Sequence, residues 1–193
     1  SKGLVGSEMC IRDRSTLMAD AAKGSMAALI GFDRNQLDLL VKEIDELVIA
    51  NDNSSSQVVL SGSEQALEKI SKRITHKRFL KLNVSGAFHS PFMKEPSLQF
   101  SKYLDTLEFN PPSFPIISNS NPSLCDNPNE LKERLKNQMC NGVRWRETMD
   151  LMVENSILQM VEIGPSNVLS GLGKRHFKDV KISQVSSENQ LKY

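Results

Sequence analysis

The stretch between Met26 and Val84 alternates short apolar runs with amphipathic runs in an order that few folds can accommodate. The short runs have the length and composition of strands, and the longer runs have apolar residues at the spacing of one helix face. Their order is strand–helix–strand–strand–helix–strand, which is that of the split βαβ, or ferredoxin-like, unit. Because this unit serves many unrelated functions, the pattern predicts a fold and no activity.

Each element in this stretch has residues that start or stop it. Asp33 stands three residues before Gln36, a capping-box variant that would start the first helix, and Ser63 is suited to cap the second. The polar cluster Asn51–Ser56 is predicted to be a turn. The four predicted strands are Met26–Ile30, Leu47–Ala50, Gln57–Leu60 and Arg78–Val84.

The second half of the chain alternates strands and helices in a different way. Strands are predicted at Phe114–Ser118, Ile157–Ile163 and Val180–Val185, and amphipathic runs with helical spacing separate them. Strands that are separated by helices favour a parallel sheet covered by helices. The fold class predicted for the whole chain is therefore α/β.

Charge and composition narrow the classes of partner. The formal net charge of +1 gives no electrostatic reason to expect nucleic acid or an anionic membrane as a partner. No apolar run approaches the roughly 20 residues that span a bilayer. Cys10, Cys125 and Cys140 are far apart and lack metal-ligand spacing, so they predict reduced thiols in a cytoplasmic protein without a metal.

A possible base stands out, without a visible nucleophile. His89 lies in V-S-G-A-F-H-S-P-F-M, between a predicted strand and a predicted helix, where a structural, half-buried histidine is the alternative interpretation. An exposed nucleophilic serine needs the small neighbours of G-x-S-x-G, and no serine in the 193 residues has them. Ser166, in G-P-S-N-V, is predicted to cap the helix that follows. His76 and His176 have no acidic cluster that would suggest a metal.

Seven sequence blocks together resemble those of malonyl-CoA:acyl-carrier-protein transacylases and the related acyltransferase domains of polyketide synthases. They occur in the family's order and at about its spacings. The blocks are R-S-T-L-M, G-S-M-A-A-L-I-G, Q-V-V-L-S-G, V-S-G-A-F-H-S-P-F-M, P-I-I-S-N, Q-M-C-N-G-V-R-W and E-I-G-P-S-N-V-L-S-G-L.

The resemblance implies a two-part fold and a ping-pong acyl transfer. An α/β-hydrolase-like core, here residues 15–24 and 85–193, would be interrupted by a ferredoxin-like subdomain, residues 25–84. In the family, a serine in G-H-S-x-G attacks the malonyl thioester, a histidine is its base, and the phosphopantetheine thiol of acyl carrier protein takes the malonyl group. The expected substrate is malonyl-CoA, with no permanently bound cofactor. A monomer is expected for the full-length protein, in the cytoplasm or, in a photosynthetic eukaryote, the plastid.

Four residues match the family's functional positions. His89 matches the catalytic histidine, and Gln138 matches the glutamine whose backbone carbonyl orients it. Arg14 matches the arginine that pairs with the free malonyl carboxylate, since a guanidinium fork can bind a carboxylate with two hydrogen bonds. Phe88 matches the aromatic residue that accompanies a preference for malonyl over methylmalonyl.

The chain also departs from the family pattern. The family's G-Q-G-x-Q and G-H-S-x-G motifs do not occur in it. Residues 1–14 end in V-G-S-E-M-C-I-R-D-R, which resembles the translation of a transposase adapter used in sequencing libraries, so that segment is interpreted as non-biological. The chain is therefore expected to be an N-terminally truncated, inactive fragment with an incomplete core and exposed strand edges.

Two alternatives remain open at this point. One is a fragment of a polyketide synthase acyltransferase domain, although the end of the chain at Tyr193, soon after the last predicted strand, favours a freestanding enzyme. The other is a ferredoxin-like module that binds a ligand or a partner without catalysis. Such a module would need aromatic or basic residues on its sheet, as RNA-binding units have, and Phe79 is the only aromatic residue in the four strands predicted between Met26 and Val84.

Overall fold

A computed structural model describes residues 12–20, 23–187 and 190. Residues 12–20 form helix α1. Four strands then form an antiparallel sheet in the order β2-β3-β1-β4, with helix α2 between β1 and β2 and helix α3 between β3 and β4. The element order predicted from the sequence is confirmed. The bounds are β1 (Ser25–Phe32), α2 (Arg34–Glu43), β2 (Leu47–Ser54), β3 (Gln57–Gly62), α3 (Glu64–Arg73) and β4 (His76–Lys81).

This four-stranded unit has a core of its own. Twelve buried residues from three strands and both helices form one cluster, in which Leu29, Leu37, Leu60 and Ile70 are fully buried. Burial of each such side chain contributes about 1.5–3 kcal/mol. The two helices therefore bury the apolar face of the sheet against which they pack.

Both predicted helix caps are confirmed, but one detail differs. The Asp33 carboxylate accepts a hydrogen bond from the Gln36 backbone N–H at 2.8 Å, and the Ser63 hydroxyl accepts one from Ala66 N–H at 3.2 Å. The Gln36 side chain instead accepts from Thr75 N–H and donates to the Arg73 carbonyl. It joins the start of α2 to the end of α3, rather than closing a capping box.

The predicted turn at Asn51–Ser56 is wrong in its extent. Strand β2 continues to Ser54, and only residues 55 and 56 connect it to β3. The polar residues stay in the strand because β3 pairs with them across two register shifts, one between Ile49 and Asn51 and one between Asp52 and Ser54. At the other edge β4 ends at Lys81, earlier than the predicted Val84.

After a short 3-10 turn at Pro91–Met93, the described residues form eight further helices and strands, and the four strands pair into two small sheets. Strands β5 and β6 pair antiparallel, which differs from the predicted parallel sheet, whereas β7 and β8 pair in parallel as expected. The bounds are α4 (Lys94–Asp105), β5 (Ile116–Ile117), β6 (Leu124–Cys125), α5 (Pro128–Asn137), α6 (Trp145–Glu154), β7 (Gln159–Ile163), α7 (Val168–His176) and β8 (Lys181–Val185). None of the helices among the described residues is long and apolar enough to cross a membrane.

The N-terminus of α7 corrects the prediction for Ser166. The helix begins at Val168, and the buried Glu162 carboxylate accepts hydrogen bonds from the backbone N–H groups of Leu169 at 3.1 Å and Ser170 at 2.7 Å. A carboxylate is favourable at this end of a helix, where the backbone donors have no partners and the dipole is positive. Glu162 on β7 therefore caps the N-terminus of α7, the role that the sequence predicted for Ser166.

Candidate active site

The backbone presents His89 in an unusual conformation. His89 has a φ of 57°, in the left-handed region, which costs a residue with a side chain about 1–2 kcal/mol. The turn around it is held firmly, because the buried Ser90 hydroxyl donates to the Ala87 carbonyl and accepts from Phe92 N–H. Ala87 N–H in turn donates to the carbonyl of Lys23. These contacts fix the imidazole at the exit from the four-stranded unit.

His89 and Gln138 lie together, as the sequence predicted. The Nδ1 atom of His89 is 3.0 Å from the Gln138 backbone carbonyl oxygen and 3.2 Å from that of Asn141. Carbonyl oxygens only accept hydrogen bonds, so Nδ1 carries the proton and Nε2 keeps its lone pair. Nε2 can therefore take a proton from a substrate or a nucleophile.

Asn141 is a contact that the sequence analysis missed. It stands in the same Q-M-C-N-G-V-R-W block as Gln138, so its neighbourhood could have been inferred. Its role could not, because a backbone carbonyl carries no signature in the identity of the side chain.

The segment that carries these carbonyls is fixed at both ends. Gln138 directly follows α5, where the last carbonyls of a helix lack partners within the helix and are free to accept from a side chain. Farther on, a Cβ atom on Gly142 would lie 2.5 Å from the Ile49 carbonyl oxygen of β2, so only glycine fits there. Val143 N–H donates to the Ala50 carbonyl at 2.7 Å, which docks the segment on the edge of β2.

The surroundings of His89 keep its imidazole neutral. Burial lowers the pKa of His89, and the positive charge of Arg14 lowers it further, while the hydrogen bonds to the carbonyls of Gln138 and Asn141 oppose this shift. The net direction is downward from the ordinary value of about 6.5. A histidine with a lowered pKa is in its base form at neutral pH.

Arg14 lies in the surroundings of His89 and has an unused hydrogen-bond donor. It belongs to α1, and its Nε atom is buried without a hydrogen-bond partner among the residues that the structure describes. Burial lowers the pKa of the guanidinium group. An ionised group that is buried without its hydrogen bonds is costly, so this side chain is suited to an anion that arrives from outside the described protein.

Phe88 joins two apolar clusters beside the histidine. It packs against the cluster formed by Met93, Phe100, Leu104 and Met139 and also against the cluster formed by Met26, Ala50 and Val59 of the four-stranded sheet. It is half-buried. The structure therefore gives this ring a packing role, at the position that directly precedes His89 in the chain.

The other two histidines lie elsewhere. His76 is on β4, where its Nδ1 atom is 2.9 Å from the Ile74 carbonyl oxygen. His176, at the end of α7, has its Nε2 atom 3.2 Å from the Asp150 carboxylate. Among the described residues, no group of three or more histidine, cysteine or acidic side chains could hold a metal ion.

Comparison with known proteins finds similarity to acyl transferases. A model of the acyl transferase domain family matches residues 7–190. The malonyl CoA-acyl carrier protein transacylase of Synechocystis sp. is 42% identical over 94% of this chain, which covers 62% of that relative. The polyketide biosynthesis malonyl CoA-acyl carrier protein transacylase PksC of Bacillus subtilis is 34% identical over 89% of the chain and 61% of its own length.

Solved structures show the same similarity in three dimensions. The crystal structure of the Synechocystis transacylase superposes with a TM-score of 0.89, over 93% of this chain and 61% of that one. A malonyl-transacylase in complex with a type II polyketide synthase acyl-carrier protein, 31% identical, has a TM-score of 0.86 over 94% of this chain and 62% of its own. The chain thus spans about three fifths of the length of these relatives.

Proposed function

The chain belongs to the acyl transferase domain family, and we propose that it forms the histidine-bearing part of a malonyl-CoA:acyl-carrier-protein transacylase. The observation that carries the proposal is the pair of contacts from His89 Nδ1 to the backbone carbonyls of Gln138 and Asn141. In this arrangement, two carbonyls take the place of the carboxylate that orients histidine in other catalytic triads. The nucleophilic serine would come from a G-H-S-x-G segment outside the 193 residues.

Acyl transfer at this site would proceed in two proton-coupled halves. Nε2 of His89 accepts the proton of the serine hydroxyl as the serine oxygen attacks the malonyl carbonyl carbon. The imidazolium then gives this proton to the departing thiolate of coenzyme A. In the second half, Nε2 takes the proton of the carrier protein's thiol, the sulfur attacks the acyl-enzyme, and the proton returns to serine. The two carbonyls stabilise the imidazolium that forms in each half.

Arg14 and Phe88 would select the acyl group. The buried, unpartnered Nε atom of Arg14 supports an ion pair with the free carboxylate of malonyl, which acetyl lacks. Phe88 would crowd an α-methyl group beside the histidine. Phe88 also packs in two apolar clusters. Its effect on the acyl group is therefore proposed in addition to this packing role.

The fold also supports a division into two parts. The strand order β2-β3-β1-β4 with two helices supports a ferredoxin-like subdomain at residues 25–84. Residues 15–24 and 85–193 would belong to an α/β-hydrolase-like core. The interpretation of residues 1–14 as adapter-derived remains a proposal that competes with the role proposed for Arg14, since the family match begins at residue 7. Residues 1–11 lie outside the described part of the chain.

The remaining expectations concern the whole protein. We propose malonyl-CoA as substrate and acyl carrier protein as partner, in the cytoplasm or plastid, with a monomeric enzyme. The relatives support the first two, since they include malonyl CoA-acyl carrier protein transacylases and a malonyl-transacylase in complex with an acyl-carrier protein. The similarity to PksC supports polyketide synthesis as a second candidate pathway, and the choice of carrier protein would distinguish the two.

The direct test is malonyl transfer to a carrier protein by two polypeptides. One is the 193-residue chain, and the other is this chain completed with the part of the Synechocystis relative that it does not cover, where we expect the G-H-S-x-G serine. We expect transfer by the completed chain and none by the 193 residues. His89→Ala in the completed chain should lower kcat by roughly 10³-fold or more. Robust turnover by the 193-residue chain, or no turnover by a folded completed chain, would contradict the proposal.

A further inference from the structure

We propose that Asp52 and Arg146 form a positioning pair that holds the segment 138–143 against β2, so that its carbonyls keep the His89 imidazole in one orientation. The catalytic meaning of this pair rests on the proposed function, whereas its effect on the imidazole can be measured without any acyl transfer. Neither residue touches the imidazole through its own side chain among the described contacts. Both would act through the backbone of the segment.

The side chain of Asp52 is a buried ionic junction. Its carboxylate is 8% exposed, and the Oδ2 atom accepts hydrogen bonds from Arg146 Nε at 3.2 Å, from Arg146 Nη2 at 3.1 Å and from Arg34 Nη1 at 2.9 Å. The hydrogen bond to Asp52 raises the pKa of Arg146, so this guanidinium stays charged. Loss of Arg146 would leave the buried Asp52 carboxylate with Arg34 as its remaining cationic partner, at a cost because burial of a charge is favourable only when it is well paired.

The backbone of Asp52 holds the same segment. Asp52 N–H donates to the Val143 carbonyl at 2.8 Å, and Val143 N–H donates to the Ala50 carbonyl at 2.7 Å. Val143 thus pairs with Asn51 as a one-residue extension of the sheet. Arg146 follows three residues later in the first turn of α6. Asp52 therefore binds Val143 through its backbone and Arg146 through its side chain.

The same segment leads directly to the imidazole. Two of its residues, Gln138 and Asn141, provide the backbone carbonyl oxygens that accept hydrogen bonds from His89 Nδ1. Between them and Val143 stands Gly142, packed on the Ile49 carbonyl without space for a side chain. A release of Arg146 from Asp52 would let residues 141–143 move from β2, and the Asn141 carbonyl would leave the imidazole with them.

Arg34 provides a matched control for this argument. It contacts the same Asp52 oxygen as Arg146 does, but it belongs to α2, within the four-stranded unit. It also pairs with Asp38 on its own helix at 3.0 Å. Loss of the Arg34 side chain removes an ionic partner of Asp52 without removing a link between β2 and residues 143–146.

The test is the tautomer of His89 in the 193-residue chain, read from the ¹⁵N chemical shifts of labelled histidine side chains. The chain has three histidines, so His89→Gln assigns the signal. We expect wild-type His89 to be protonated at Nδ1 when neutral. In Arg146→Gln and Asp52→Asn, the ratio of the Nδ1–H to the Nε2–H form should fall by about fivefold, the effect of one lost hydrogen bond. Arg34→Gln should keep the wild-type ratio.

Two further results make the outcome decisive. Arg146→Lys retains a charge opposite Asp52 and should restore part of the wild-type ratio, which general loosening of the fold would not do. Hydrogen exchange at the amides of β1 reports whether each variant still contains the folded four-stranded unit. An unchanged tautomer ratio in folded Arg146→Gln and Asp52→Asn, or an equal change in Arg34→Gln, would overturn the proposal. Such a result would leave the proposed function standing, because malonyl transfer by the completed chain tests that function separately.

Discussion

The four-stranded unit and the remainder of the chain differ in how completely they bury their apolar surface. The first has a cluster of twelve buried residues and a second cluster of three, and its two helices have side-chain caps. The second has two smaller clusters of five and four buried residues, and its sheets have two strands each. Its strand β7 exposes Val161 and Ile163, the latter by 78%. One region has a large core of its own, and the other presents apolar surface that a further protein segment would cover.

The candidate site lies at the boundary between these two regions. His89 follows the last strand of the four-stranded unit, while the carbonyls that orient it come from residues 138 and 141 of the other region. Phe88 packs on clusters of both. The orientation of the imidazole therefore depends on the contact between a region with a large core and a region with smaller ones.

The largest effect should come from the core of the four-stranded unit. Replacing the fully buried Ile70 by alanine should lower the free energy of unfolding by about 2–5 kcal/mol, because the transfer energy is lost and a cavity remains. Leu39→Ala, on the exposed face of α2, should change it by less than about 0.5 kcal/mol. Urea denaturation of both variants measures the difference. Equal losses would mean that this unit lacks the separate core described above.

A smaller loss is expected where the two regions touch. Gly142→Ala should lower the free energy of unfolding by about 1–3 kcal/mol, because its Cβ atom would meet the Ile49 carbonyl oxygen. Gly171→Ala, within α7, has only the Arg175 side chain at 4.0 Å and should be neutral or slightly stabilising. Thermal unfolding compares the two. A neutral Gly142→Ala would show that residues 141–143 do not pack closely on β2.

The exposed strand of the second region should govern self-association. We expect the 193-residue chain to associate with itself, and Ile163→Lys to reduce this, because a charge opposes the burial of that face against another copy. Leu39→Lys, 63% exposed on the four-stranded unit, should have little effect. Light scattering at several protein concentrations measures both. If Leu39→Lys reduced association as much as Ile163→Lys did, the comparison of the two regions would fail.

The smallest expected effect is on the titration of His89. Its pKa is below the ordinary value, so the folded chain binds fewer protons than the unfolded chain between the folded pKa and about 6.5. Stability should therefore fall as the pH is lowered through this window. Arg14→Gln should raise the pKa of His89, since the charge of Arg14 lowers it, but burial should keep it below the ordinary value.

Side-chain NMR titration follows this pKa directly. Arg12→Gln changes an exposed arginine on the same helix and serves as the control, for which no change is expected. A His89 midpoint at or above the ordinary value in the unaltered chain would contradict the described burial of the imidazole.

The sequence predicted what depends on local pattern. The elements of the four-stranded unit follow from the spacing of apolar residues and from caps such as Asp33 and Ser63, and all of these lie within a few positions of the structure they determine. The family was likewise identified from blocks in order along the chain, and the match over residues 7–190 confirms it. A non-catalytic binding module is not supported by that membership.

The predictions that were wrong or missing concern residues whose partners are distant in the sequence. The polar end of β2 remains in the strand because β3 pairs with it and because Arg146, far along the chain, neutralises Asp52. Ser166 does not cap α7 because Glu162 reaches its N-terminus from another element. Asn141 acts through a carbonyl that every residue has. Such features follow from tertiary structure and have no signal in local spacing.

The most direct test of the account is a single-turnover measurement of serine malonylation in the completed chain as the pH is varied. We predict that the rate rises with pH through the pKa of His89, with a midpoint below 6.5, and that His89→Gln lowers it by roughly 10³-fold or more. A completed, folded His89→Gln variant that is malonylated at the rate of the unaltered protein would contradict the assignment of His89 as the base.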